Sequence, residues 1–138
     1  MTTDNRQQTT DDRQQTCMAR TLENLRIWID ARELVSLIYK LMADNRDYGF
    51  KDQIQRAAVS IMNNIAEGFE YNSDSVFIRY LNIAKGSCSE VKSMLYLCED
   101  LGYCSPNQRV ELQAKVLDVS SGIYNMIAYL SQPKPESK

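Results

Sequence analysis

The sequence predicts an all-α protein, an antiparallel up-down-up-down four-helix bundle, and three observations carry that prediction. Four separate stretches show apolar residues recurring at steps of three and four, the spacing of one face of an α-helix. Stop and start signals fall between them at Gly68, at Gly102 and at Ser105-Pro106-Asn107-Gln108. Only five glycines and three prolines interrupt 138 residues, too few for the many turns of a sheet protein.

Taken in order, residues 1–20 are rich in Gln, Thr, Asp and Arg and hold almost nothing to bury, so a disordered tail is expected. Helix one is expected over residues 22–43, with Thr21 as N-cap. Leu25, Trp28, Val35, Ile38 and Met42 supply its inner face, and Ile27, Ala31, Leu34 and Leu41 a second apolar side. A connector over residues 44–50 is broken by Gly49. Helix two follows over residues 52–70, with Ile54, Ala58, Ile61 and Ile65 inward and Gly68 as its C-terminal stop.

Residues 71–74 then read as a turn with capping side chains, and helix three spans residues 74–101 through Phe77, Leu81, Ala84, Cys88 and Val91. Gly102 sits where a C′ glycine ends a helix. Ser105, Pro106 and Gln108 form the clearest local signal, an N-cap serine, a proline at N1 and a glutamine at N3. Helix four carries Leu112, Val116, Val119, Ile123, Ile127 and Leu130 until Pro133 and Pro135 end it. One bundle domain over residues 21–132 is therefore expected, followed by a solvated tail over 133–138.

Charge and chemistry narrow the function. The formal net charge is −2, from 16 basic and 18 acidic residues, which argues against a nonspecific nucleic-acid binder but not against a local basic patch. No apolar run approaches the roughly 20 residues that span a membrane, and no signal-peptide pattern opens the chain, so a cytoplasmic protein is expected. Cys17, Cys88, Cys98 and Cys104 show no CxxC pairing and are read as free thiols, Cys88 on a core face. Without histidine the chain lacks the commonest general base and metal ligand, so neither a metal nor a cofactor is expected. Glu67 and Glu90 could form an acid-base pair, but partners such as Arg56, Arg79 or a helix-end amide are the expected use of such carboxylates. Asn63 and Asn64 are expected to make hydrogen bonds between helices. No phosphate-binding glycine loop or nucleophile elbow is present, and the chain reads as a non-enzyme.

The block SIMNNIAEGF, then FIRYLNIAKGSCSE and LGY at residues 101–103, resembles the four-helix-bundle family of 23S ribosomal RNA intervening-sequence proteins. ENLRIWIDARELVSLIYKL, upstream, is similar to that family's first helix, and the resemblance covers roughly residues 22–130. Two departures are Met62, where the family often has proline, and YNSDSV, where a basic residue and a glutamate are usual.

The resemblance implies a bacterial bundle protein that assembles as a homopentamer and associates with nucleic acid. Members are encoded within ribosomal RNA insertions or alone, and a related bundle acts beside the reverse transcriptase of diversity-generating retroelements. Candidate contacts for nucleic acid are then Arg46, Lys51, Arg56, Arg79, Lys85 and Lys92, each of which alone is an ordinary solvated charge. The small-residue patch Gly86, Ser87 and Ser89, with Glu90 beside it, lets another helix approach closely. Leu117, Tyr124, Met126 and Tyr129 on helix four, with Ile27 and Leu34 on helix one, supply apolar surface for subunit contacts. A structural or protein-interaction module without a nucleic-acid role is the alternative, and the acidic balance favours it.

Overall fold

A computed structural model describes residues 21–134, so the expectations for the N-terminal tail and for Cys17 lie outside the described residues. Four helices follow one another: α1 (Arg26–Met42), α2 (Tyr48–Glu70), α3 (Asp74–Asp100) and α4 (Pro106–Leu130). Each packs on its chain neighbour and α1 closes the square against α4, with the most extensive contact between α2 and α3. The core holds Leu34, Ile38, Ile54, Ile61, Ile65, Phe77, Leu81, Leu95 and Ile123, all fully enclosed. Short connections make successive helices antiparallel, and the chain is the up-down-up-down bundle its periodicities imply.

Side-chain caps set three of the four starts. Asp47 accepts from the Phe50 N–H at 3.2 Å, Ser73 from the Val76 N–H at 3.4 Å, and Ser105 forms a full capping box with Gln108. Asp47 starts α2 four residues earlier than the sequence suggests, so Tyr48 and Gly49 belong to its first turn and not to a loop. The first helix is the exception. Thr21 makes no side-chain cap, residues Leu22–Asn24 form a 3₁₀ turn, Leu25 is extended, and only then does α1 begin.

The face of α1 also differs from expectation. Ile27, Ala31, Leu34, Ile38 and Met42 point inward, while Trp28 and Val35 are half-buried. With two adjacent apolar stripes on one helix, the neighbours decide which turns in. Here Gly122 of α4 leaves room for Ile27, whose Cγ2 would lie 2.9 Å from any Cβ built on that glycine. Ile27 and Leu34 are thus core residues and not spare surface for subunit contacts.

Gly68 is not the stop of α2 either, since the helix runs on to Glu70. It marks the closest approach between α2 and α3: a Cβ there would meet the Tyr80 Cβ at 2.6 Å and the Phe77 ring at 3.1 Å. Gly102 does end its helix. With φ of 76°, it lets its own N–H reach the Glu99 carbonyl and the Tyr103 N–H reach the Cys98 carbonyl, a Schellman cap. Tyr103 then packs edge-on against Phe50 at 5.3 Å and donates its hydroxyl to Asp47 Oδ2 at 2.7 Å. The Leu101-Gly102-Tyr103 segment therefore ties the α3–α4 turn to the start of α2. At the opposite end Lys134, expected in a solvated tail, pairs with Asp74 at 2.6 Å.

Candidate nucleic-acid interface

The antiparallel pair α3 and α4 presents an outward groove whose side chains are set by helical spacing. On α3, Lys85, Ser89, Lys92 and Tyr96 recur at steps of four, three and four, a stripe that flanks the core residues Leu81, Cys88 and Leu95. Opposite it, α4 supplies Arg109, Gln113, Leu117 and Tyr124. Contacts across the groove fix the register. Lys85 Nζ lies over the Tyr124 ring, 5.7 Å from its centroid. Gln113 Nε2 donates to the Lys92 carbonyl at 3.1 Å. The Arg109 guanidinium lies 4.9 Å from the Tyr96 centroid, held there by Glu99 and by Gln113 Oε1 at 2.8 Å. Glu99 holds Arg109 firmly in its charged form, and the guanidinium is raised above its ordinary pKa chiefly by that bond.

Both tyrosines remain well exposed, with Tyr96 at 50% and Tyr124 at 61% of full exposure. Three cations and one carboxylate give this groove a local charge of +3 − 1 = +2, against −2 for the whole chain. Acidic side chains collect instead around α1. Burial raises the Asp30 carboxyl above its ordinary pKa, with Glu33 and Asp118 also acting in that direction, and Lys115 of α4 bonds Glu33 at 2.8 Å.

The six basic candidates do not form one patch. Lys85 and Lys92 share the α3 stripe, whereas Arg79 stands exposed near the start of α3, a third of a turn away. Arg46 and Lys51 lie at the opposite end of the bundle from Arg79, at the α1–α2 connection, where Lys51 Nζ reaches the Ala43 carbonyl at 3.4 Å. Arg56 is exposed on α2 and pairs with Asp52 at 2.9 Å. Tyr96, Arg109 and Gln113 are not singled out by the sequence, and Tyr124 is expected there as surface for subunit contacts and not for nucleic acid. Their meaning arises only across two helices, although the 4-3-4 spacing of the α3 stripe is visible in the chain.

The polar residues of the shared motif serve the α2–α3 seam. Ser60 and Ser87 share a hydrogen bond of 2.8 Å across it, and Asn64 Nδ2 supports Ser60 from within α2 at 3.0 Å. The bond between helices expected of the asparagines is thus made by serines, and Asn63 is exposed. Glu67 accepts from the Tyr80 hydroxyl at 3.2 Å, not from Arg56 or Arg79, and Tyr80 stacks on Tyr71. Glu90 sits almost three turns further along α3 than Tyr80, so Glu67 and Glu90 form no acid-base pair. Of the small-residue patch, Ser87 is buried in the α2–α3 seam, whereas Gly86 is exposed and a Cβ there would meet nothing within 4 Å, so no helix of this chain packs on Gly86.

Among the described residues no group of three or more Cys, Asp or Glu side chains could hold a metal ion, and no helix is long and apolar enough to cross a membrane. Between α1 and α4 an open groove floored by Leu37, Leu41 and Leu112 carries Lys40, Glu111 and Lys115 on its rim, with Lys115 engaged by Glu33.

The model of the 23S rRNA-intervening sequence protein family matches residues 23–125. The chain belongs to that family. A solved structure from Bacteroides thetaiotaomicron, described as a protein of unknown function from the S23 ribosomal protein family, superposes with a TM-score of 0.68 at 24% identity. The match covers 73% of this chain and 97% of that one, and it shows the shared fold. A search of curated proteins finds no match to the chain. Within the family match, the motif blocks account for the tight α2–α3 seam at Ser60, Gly68 and Ser87, and for the Tyr103 latch.

Proposed function

We propose that this family member is a non-enzymatic, homo-oligomeric protein of the cytoplasm that associates with RNA, serving a ribosomal RNA insertion or a reverse transcriptase. The α3–α4 groove carries the RNA part of this reading. Lys85, Lys92 and Arg109 give it a positive local charge on a chain of negative net charge, interleaved with two exposed rings. Phosphate chains bind through such cations by releasing counterions, and the bases supply rings for stacking. The family's name, which refers to an intervening sequence of 23S rRNA, favours RNA over other polyanions.

Apolar surface supports the oligomer. Ile83 and Leu97 of α3 and Ile29 and Tyr39 of α1 are exposed, and these helices lie diagonally across the bundle. A ring needs two such different faces, one meeting the other on the next subunit. A homopentamer would repeat the α3–α4 groove five times and gather its charges.

Fluorescence anisotropy of a labelled RNA tests the reading. Binding should weaken with salt, with a log–log slope of about −2 per subunit if three cations contact a single strand. Reversing charge in a K85E/K92E variant should abolish it. Salt-independent binding, or binding unchanged in that variant, contradicts the proposal.

A further inference from the structure

Resting on the reading just given, we infer that the strand held by the α3–α4 groove is unpaired RNA, whose bases stack on Tyr96 and Tyr124. Each ring is already pinned on one side by a cation, Tyr96 by Arg109 at 4.9 Å and Tyr124 by Lys85 at 5.7 Å. Arg109 is itself held by Glu99 and Gln113, so the Tyr96 platform is set before any ligand arrives. A pinned ring loses little side-chain freedom on binding, and a ring that stays half or more exposed offers π-surface that any base can cover.

The groove suits one strand better than two. Lys85 and Lys92 lie on a single line along α3, about 10 Å apart at 1.5 Å per residue. A single phosphate chain can follow that line with its bases turned toward the rings. A duplex keeps its base faces inside its own stack and presents phosphates, 2′-hydroxyls and base edges, so the exposed tyrosines would find no base face to stack on. Between the two lysines, the exposed Ser89 adds a hydroxyl that can both donate to and accept from a ribose 2′-OH.

Anisotropy titrations of the full chain with an unstructured RNA of about ten nucleotides, the same RNA as a blunt duplex, and a DNA strand of the same sequence decide the matter. The unpaired RNA should bind about tenfold more tightly than the duplex, and more tightly than the DNA. A Y96L/Y124L variant, which keeps apolar bulk on two exposed positions, should lose about tenfold or more on unpaired RNA and leave duplex binding unchanged. Arg109→Lys, which keeps the charge but not the planar contact with the ring, should weaken the unpaired strand alone. Equal binding of duplex and single strand, or an unaffected tyrosine variant, overturns the stacking inference while salt-dependent association with RNA stands. Equal binding of the DNA strand overturns the ribose choice. If no nucleic acid binds, both the inference and the function proposed above fall.

Discussion

Gly68 offers the sharpest test of how the bundle is put together. In Gly68→Ala the new methyl would stand 2.6 Å from the Tyr80 Cβ, 3.1 Å from the Phe77 Cδ1 and 3.2 Å from the Tyr80 Cγ. The nearest atom is fixed to the backbone of α3 and cannot swing aside, so the helices must move apart along their tightest seam. Overpacking of this kind costs about 1–3 kcal/mol, and here the upper half of that range applies. Alanine's better helix propensity returns up to about 1 kcal/mol, leaving a net loss of about 1–2 kcal/mol. Gly86→Ala is the internal control. It lies on the next helix in open space, so it should gain about 0.5–1 kcal/mol from propensity alone. Urea denaturation followed by circular dichroism, at matched protein concentration because an oligomer's stability depends on it, measures both. If Gly68→Ala is as stable as the parent or gains like Gly86→Ala, α2 and α3 do not approach as described.

Further outcomes follow from other contacts. Ser105→Ala should lower stability by about 1 kcal/mol, read in the same denaturation assay, because it removes the cap from the Gln108 N–H. Cys88, at 2% exposure and with burial pushing its thiol up to about 12, should resist a thiol reagent until the protein unfolds; rapid native labelling would show α3 rotated. The Tyr103 hydroxyl, with the Phe50 N–H, holds Asp47 below the ordinary carboxylate range. A depressed carboxyl contributes stability above its unfolded pKa that is lost as pH falls through the folded one. Tyr103→Phe should therefore reduce the acid-side loss of stability, which thermal melts from neutral to acid pH would show. Light scattering at micromolar concentration should give a pentameric mass, and Ile83→Glu should reduce it; a monomeric parent would remove the ring.

Local chemistry made much of the fold legible. Ser73, Gly102 and the Ser105–Gln108 box end or begin helices where their side chains and backbone demand, and each does so in the structure. Asp47 is not legible as a cap because Gly49, three positions from the expected helix start, reads as a break, whereas a first turn tolerates it. The stripe of α1 that turns inward was not legible, because Ile27 is admitted by Gly122, nearly a hundred residues on. Gly68 shows the same limit: a glycine near a helix end can be a stop or a close contact, and only the partner helix distinguishes them. At the candidate interface Lys85 and Lys92 were legible as charges on one helix. Their pairing with Tyr124 and Arg109 was not, because it exists only once α3 and α4 lie antiparallel in one register.

The claim that RNA lies along the α3–α4 groove is tested most directly by ultraviolet cross-linking of the native protein to unstructured RNA, with the modified peptides mapped by mass spectrometry. Adducts are expected at Tyr96 and Tyr124, lost when excess unlabelled RNA competes. Adducts confined to α1, or specific cross-links that spare both tyrosines, would contradict the claim.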